Sequence, residues 1–261
     1  MQGFDPATSF GPDVAGRYDD HPRGDEAQTV DFLDRYTHRD ATSGDADGGR
    51  AGQGHAVERT ALELAIGTGR IALPLAQRGV RVDGIELSPD MVAAMRAKPG
   101  GADLRVTIGD MAEVRAPGER YPLVYLVFNT IYNLLTQQAQ VRCFENAARH
   151  LTDNGVFVVE AGVPSAWLRG DQFVDVERVT TDEVVLDVNR YDPVTQILDE
   201  NHVSLTSGGV RMGPISCRLI WPGEMDLMAR IAGLRLVNRW AGWRDEPFTS
   251  DSKRHISVYA R

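Results

Sequence analysis

The chain has 261 residues, a formal net charge of −9 and 42% hydrophobic residues. That length holds one large domain, or a domain carrying a sizeable insertion. The acidic balance repels phosphate backbones and disfavours nucleic acid as a partner, and a run of roughly eighteen apolar residues, as a membrane-spanning helix needs, is absent.

Met1 to Phe10 lacks the basic-then-apolar order of a secretory signal. Two cysteines, Cys143 and Cys217, stand at no metal-ligand spacing, and the six histidines form no His-x-x-x-His pair. We therefore expect buried thiols in a reducing cytoplasm and no metal. Asp13 to Thr37 is polar with a late helical pattern of Val30, Leu33 and Tyr36, with Phe32 alongside. It predicts one or two helices within residues 1–37. His38 to Ala56 holds five glycines and nothing apolar larger than alanine. Such a stretch cannot offset the entropy of ordering it, and residues 38–56 read as a flexible linker.

From Arg59 the pattern alternates. Strands are predicted at Ala61–Ala65, Val80–Glu86, Leu104–Ile108, Leu123–Phe128 and Val156–Glu160. Between them come helices at Gly69–Arg78, at Pro89–Ala97 with Ser88 as N-cap, and at Gln137–Leu151, stopped by an Asp153-Asn154-Gly155 turn. This rhythm argues for a parallel α/β sheet covered on both faces. After Pro164 it breaks. Val174–Thr180, Glu183–Tyr191, Ile197–Leu205 and Val210–Ile220 read as consecutive strands of an antiparallel β-meander, a cap inserted at residues 164–220. A helix at Pro222–Ala232 and strands at Arg235–Trp240 and His255–Tyr259 return to the α/β domain, which would span residues 57–163 and 221–261.

The first strand runs into Leu62-Glu63-Leu64-Ala65-Ile66-Gly67-Thr68-Gly69-Arg70, and Glu86 ends the second strand nineteen residues after Gly67. A tight glycine turn lets the backbone approach a ligand, and an acid ending the next strand can accept from both ribose hydroxyls of an adenosine group. Gly67-x-Gly69-x-x-Ala72 also satisfies a relaxed dinucleotide fingerprint, so an NAD-linked oxidoreductase is one alternative. Glu63 suits a ligand carrying an ammonium better than a pyrophosphate. Asp110 can accept from an adenine amino group while Met111 packs on the ring.

These residues resemble the class I S-adenosylmethionine (SAM)-dependent methyltransferases. The family's acid-x-Gly-x-Gly-x-Gly pattern stands here from Glu63 to Gly69 with Ala65 at the first glycine, followed by Gly84-Ile85-Glu86-Leu87-Ser88-Pro89-Asp90-Met91 and Gly109-Asp110-Met111. The resemblance is good from about Thr60 to Gly162. It implies a Rossmann-like sheet of seven strands with the last antiparallel, SAM as cofactor, and cofactor contacts from Glu63, Ala65, Gly67, Gly69, Glu86, Leu87, Met91, Asp110, Met111, Phe128 and Asn133. Glu86 would hold the ribose, Leu87 pack on adenine, and Asp110 and Met111 frame the base. Arg17-Tyr18-Asp19 is similar to the Tyr-Asp element of nucleotide-sugar N-methyltransferases and glycine N-methyltransferase relatives, whose N-terminal helix folds over SAM. Tyr18 would then touch the methionine carboxylate, with Arg23 as its charge partner.

Phe128-Asn129-Thr130-Ile131-Tyr132-Asn133 lacks the proline pair of DNA and protein amide methylases, and Asn129 and Asn133 replace the acids of metal-dependent catechol-type enzymes. The expected function is methyl transfer to an N or O atom of a small molecule such as a secondary metabolite; a SAM-binding protein that does not methylate is the other alternative. Glu160 and His202 are candidate bases, and Tyr132 could face the sulfonium. Among the aromatic and polar cap residues, the Arg218 to Trp221 stretch lies where the insertion rejoins the body. The sequence leaves open whether the chain acts alone or as a homodimer.

Overall fold

The computed structural model describes residues 1–6, 8–20, 23–37 and 59–261. The linker expected at 38–56 lies outside them. In chain order the elements are α1 (Pro12–Ala15), α2 (Glu26–Asp34), β1 (Thr60–Leu64), α3 (Ala72–Ala76), β2 (Arg81–Glu86), α4 (Pro89–Arg96), β3 (Arg105–Ile108), β4 (Tyr121–Leu126), α5 (Gln137–His150) and β5 (Leu151–Gly162). After α6 (Pro164–Trp167) come β6 (Gln172–Val179), β7 (Glu183–Asp192), β8 (Ile197–Thr206) and β9 (Gly209–Arg218), then α7 (Pro222–Ile231), β10 (Arg235–Trp240) and β11 (Arg254–Ala260).

Seven strands make one sheet in the order β10-β11-β5-β4-β1-β2-β3, and β6 to β9 make a second, four-stranded antiparallel sheet. In the large sheet only β11 runs against its neighbours, β5 and β10. This is the expected mixed α/β sheet with an antiparallel last strand. Every side chain of β1 and β4 is buried, which marks them as the central strands. Alternate residues feed two cores. Leu62 and Leu64 join Phe144, Met225 and Tyr259 under α5 and α7, while Ala61 joins Leu33, Leu75 and Val92 under α2, α3 and α4. Ser88 caps α4 as expected, its hydroxyl accepting the Met91 N–H at 3.2 Å.

Two local differences have physical reasons. The helix expected from Gly69 begins only at Ala72, because Gly69 holds φ at 75° in the left-handed region and the chain must turn first. The stop expected at Asp153-Asn154-Gly155 is a bulge rather than a strand boundary. Tyr121 pairs with Leu151 and Leu123 with Val156, so β5 accommodates extra residues and still pairs from Leu151 onward.

Candidate active site

The carboxyl ends of β1, β2 and β4 open into a cavity of about 1710 Å³. Open α/β sheets place ligands at this edge. After β1 the chain reverses through Ala65 and Gly67, both in the left-handed region with φ of 55° and 58°. The turn is pinned to the next strand. Glu86 Oε2 accepts the Gly67 N–H at 2.9 Å and Oε1 accepts the Ser88 N–H at 2.8 Å. Glu86 lines the cavity, and each of its oxygens keeps a second lone pair. Burial raises its pKa, and the two N–H bonds oppose the rise. Leu87, Met91, Asp110 and Met111 extend the same wall. Asp110 Oδ1 accepts the Ala112 N–H at 2.7 Å.

The N-terminal segment forms the facing wall. Phe10, Tyr18 and Arg23 all line the cavity. The Ser88 hydroxyl donates to the Phe10 carbonyl at 2.6 Å, and the Thr68 hydroxyl donates to Asp19 Oδ1 at 2.8 Å. Lys98 reinforces that contact, bonding both Asp19 at 2.6 Å and the Thr68 carbonyl at 2.7 Å. The segment is thus tied to the glycine turn. Arg23 donates from Nη2 to the Tyr18 hydroxyl at 3.1 Å and stacks on the Phe128 ring. Its other terminal nitrogen, Nη1, is buried and has no partner among the described residues.

After β4 the chain makes an unusual turn. Phe128 and Asn129 both stand in the left-handed region, with φ of 58° and 61°. Two side chains hold it. Glu160 Oε2 accepts the Phe128 N–H at 2.7 Å, and Asn129 Oδ1 accepts the Gly162 N–H at 2.6 Å. The far side of the cavity is one face of the β6–β9 sheet. Asp175, Glu177, Glu183, Asp187 and Glu200 reach it, against the cations Arg178 and Arg211 and, from the loop before β6, Arg169. His202 lies among the acids, with Nδ1 at 2.5 Å from Asp187 Oδ1.

A family model described as "Methyltransferase domain" matches residues 61–155. The chain is 32% identical to the solved CcbJ methyltransferase from Streptomyces caelestis. That likeness covers 98% of this chain and 99% of that one, with a TM-score of 0.85. The chain is a SAM-dependent methyltransferase. It is also 26% identical over 210 residues to a "Cypemycin N-terminal methyltransferase" from a Streptomyces species, 78% of this chain and 83% of that protein. A third similarity, 36% identity over 99 residues and 38% of each chain, is to a dTDP-3-amino-3,6-dideoxy-alpha-D-glucopyranose N,N-dimethyltransferase from Streptomyces fradiae. The oxidoreductase and non-methylating alternatives fall with these matches.

The residues of the methyltransferase fit its cofactor. The unpartnered Arg23 Nη1 at the wall leaves a cationic donor for a carboxylate. The spare lone pairs of Glu86 suit a pair of hydroxyls. Of the residues expected from sequence, Tyr18, Arg23, Ala65, Gly67, Glu86, Leu87, Met91, Asp110, Met111, Phe128, Asn133 and His202 all line the one cavity.

Four expected residues do not reach it, and each is a correction. Tyr132 was expected to face the sulfonium. It is fully buried, its hydroxyl donating to the Gly162 carbonyl at 2.6 Å, with Trp167 edge-on to its ring. Glu160, expected as a base toward the acceptor, sits one layer behind the Phe128 turn and is bonded to Phe128 and, at 3.4 Å, to Arg254. Glu63 points into the packed layer, where the Tyr125 hydroxyl donates to it at 2.9 Å, and burial pushes its carboxyl up to about 8. Gly69 lies behind the turn, where a side chain would strike Met95 at 2.8 Å.

Arg218, at the junction singled out from sequence, is a buried strut bonding Gln140 at 2.5 Å and Glu224 at 2.8 Å. Asn129 and Asp19 were missed as turn-holding residues. The Tyr-Asp element pointed to Asp19, but nothing local to the sequence signals the φ of Asn129. Glu177, Asp187 and His202 come together from three strands with potential ligand atoms within 4.8 Å of one another, a grouping that spacing along the chain cannot reveal.

Proposed function

We propose that the methyltransferase methylates an amine of a small molecule, and that the β6–β9 sheet selects acceptors that carry positive charge. The observation that carries this reading is the surplus of carboxylates on the cavity face of that sheet, opposite the cofactor wall. Carboxylates gathered at one wall of a cleft attract and orient a cation. The names of two relatives point the same way, one acting at a peptide N-terminus and one on an amino sugar. The free, buried thiols Cys143 and Cys217 suit work in the cytoplasm.

On this reading SAM, when bound, supplies a methyl group already activated by its sulfonium, so the protein's task is alignment, which can contribute on the order of 7–11 kcal/mol. Glu86 holds the ribose hydroxyls, Asp110 and Met111 frame the base, and Arg23 with Tyr18 holds the methionine carboxylate. Phe128 and Asn129 shape the mouth between cofactor and acceptor. A protonated amine must lose a proton before it can attack. His202, oriented by Asp187, can take that proton at Nε2.

The test pairs each amine acceptor, an amino-sugar nucleotide or a free peptide N-terminus, with its hydroxyl counterpart under labelled SAM. Transfer to the amines is expected, with Asp187→Asn raising KM for them. Equal kcat/KM for the hydroxyl partners would overturn the proposal.

A further inference from the structure

We infer that the cavity face of the β6–β9 sheet binds one divalent transition-metal ion of the zinc type, with Glu177, Asp187 and His202 as its protein ligands. Directly paired residues of an antiparallel sheet share a face. Asp175 pairs with Asp187, Asp187 with His202 and His202 with Gly213, so these four form one row across the sheet. Glu177 reaches that row through a bulge. Val176 pairs with Leu186 and Arg178 with Val185, so β6 takes two steps where β7 takes one, and Glu177 is the extra residue. An unbroken ladder would set Glu177 opposite Val185, a full row of about 7 Å from Asp187. The bulge leaves it between the two rows, with its carboxylate turned to the cavity.

The three potential ligand atoms lie within 4.8 Å of one another. Around a tetrahedral zinc ion, ligand atoms at 2.0–2.2 Å from the metal stand roughly 3.3–3.6 Å apart. Reaching that spacing requires His202 Nδ1 and Asp187 Oδ1, now 2.5 Å apart, to open by about an ångström. The His202 side chain is 45% exposed and has room to move. Its neighbour across the ladder on β9 is Gly213, so no side chain covers that flank of the ring. On the other side of the imidazole, Glu200 Oε1 lies 3.9 Å from Nε2. A carboxylate there favours the proton on Nε2 and so presents the lone pair of Nδ1 to the metal.

The charge around the three ligands calls for a cation. Asp175 and Glu200 stand on the same face. Arg178 is drawn to Glu183 at 2.6 Å, and Arg169 faces Asp175 at 3.9 Å. Among the described residues no lysine or arginine forms an ion pair with Glu177, Asp187 or Glu200. An imidazole with two carboxylates selects a transition ion, since Ca²⁺ and Mg²⁺ require six or more oxygens. The lack of a His-x-x-x-His pair does not bear on ligands drawn from three strands. A bound ion takes the wall to which we assign the charge of the acceptor. The inference itself rests on the ligand geometry and not on that assignment.

The test is an optical titration of the full chain with Co²⁺, whose visible bands report a site of four or five ligands that include nitrogen. One ion per chain should bind, Zn²⁺ should displace it, and an excess of Mg²⁺ should not. His202→Ala and Glu177→Gln, both at exposed side chains, should keep the melting temperature of the metal-free wild type and lose the cobalt bands. Glu200→Gln, which removes only the support of the ring, should weaken binding by about 10–100-fold. A wild type without these bands overturns the inference. So does a folded His202→Ala that binds cobalt as the wild type does, or displacement of cobalt by Mg²⁺ at equal concentration. No acceptor enters these measurements, so their failure is distinct from a failure of the methylation reading.

Discussion

Glu160 separates a base from a strut in one experiment. Its side chain is 8% exposed and makes a 2.7 Å bond to the Phe128 N–H. A hydrogen bond to a charged group contributes about 1.5–3 kcal/mol. The turn it holds is costly in itself, because Phe128 and Asn129 are consecutive non-glycine residues at positive φ, each worth on the order of 1–3 kcal/mol. Arg254 adds little, being 43% exposed, 3.4 Å away and already paired with Asp25. Glu160→Ala leaves the Phe128 N–H buried without a partner and releases the turn. We expect a loss of about 2–4 kcal/mol, a fall in melting temperature of roughly 5–15 °C by the usual scaling for chains near this size. Glu160→Gln keeps an oxygen for the same N–H and should cost about 1 kcal/mol. Burial already raises the pKa of Glu160, so a neutral group is tolerated there. A base would behave otherwise, losing on the order of 10²–10⁴-fold in turnover as glutamine. Thermal denaturation and steady-state kinetics on the two variants decide between them. A glutamine variant with wild-type stability and a hundred-fold loss of kcat would refute the strut.

Ala65 occupies a left-handed position that the family pattern gives to glycine. Relief of that strain, reduced by the greater entropy of an unfolded glycine, should make Ala65→Gly more stable by about 1 kcal/mol; a lower melting temperature without SAM would contradict the assigned turn. Glu63 has a folded pKa of about 8 against an ordinary value of 4.5. The folded protein therefore holds a proton that the unfolded chain releases. The stability this gives is fully present below about 4.5 and is lost as pH rises toward 8, by a few kcal/mol at most on an order-of-magnitude basis. Melting temperature followed across that window should fall less steeply in Glu63→Gln, and an unaltered slope would count against the buried, protonated carboxyl.

The sheet and most of the cavity wall were legible because they rest on local rules. Short apolar runs marked the parallel strands, and the glycines, Glu86 and Asp110 stand at strand ends, where a side chain's position follows from the strand's register. The misassigned residues share a different property. Tyr132 and Glu160 stand in turns or at strand ends whose direction is fixed by distant partners, the Gly162 carbonyl in one case and the Phe128 N–H in the other. Position at the mouth of a sheet does not say which way a side chain turns once a backbone group competes for it. The grouping of Glu177, Asp187 and His202 was invisible for a related reason, since it depends on the register between three strands.

Glu63, Glu86 and Glu160, three buried carboxylates of the α/β body, are spent on the body itself. Glu63 accepts from Tyr125, Glu86 from Gly67 and Ser88, and Glu160 from Phe128. Burial raises the pKa of each. Only Glu86 of the three lines the cavity, on the cofactor wall, and its bonds set the glycine turn. Charge that meets the acceptor is then expected from other walls of the cavity, and the β6–β9 sheet brings several carboxylates and an imidazole to that space. A change of acceptor is therefore expected to need new side chains on one face of that sheet and none in the glycine turn or behind Phe128. Period-two alternation makes such changes separable from the opposite face, because a substitution at Asp187 leaves its outward neighbours Leu186 and Val188 in place.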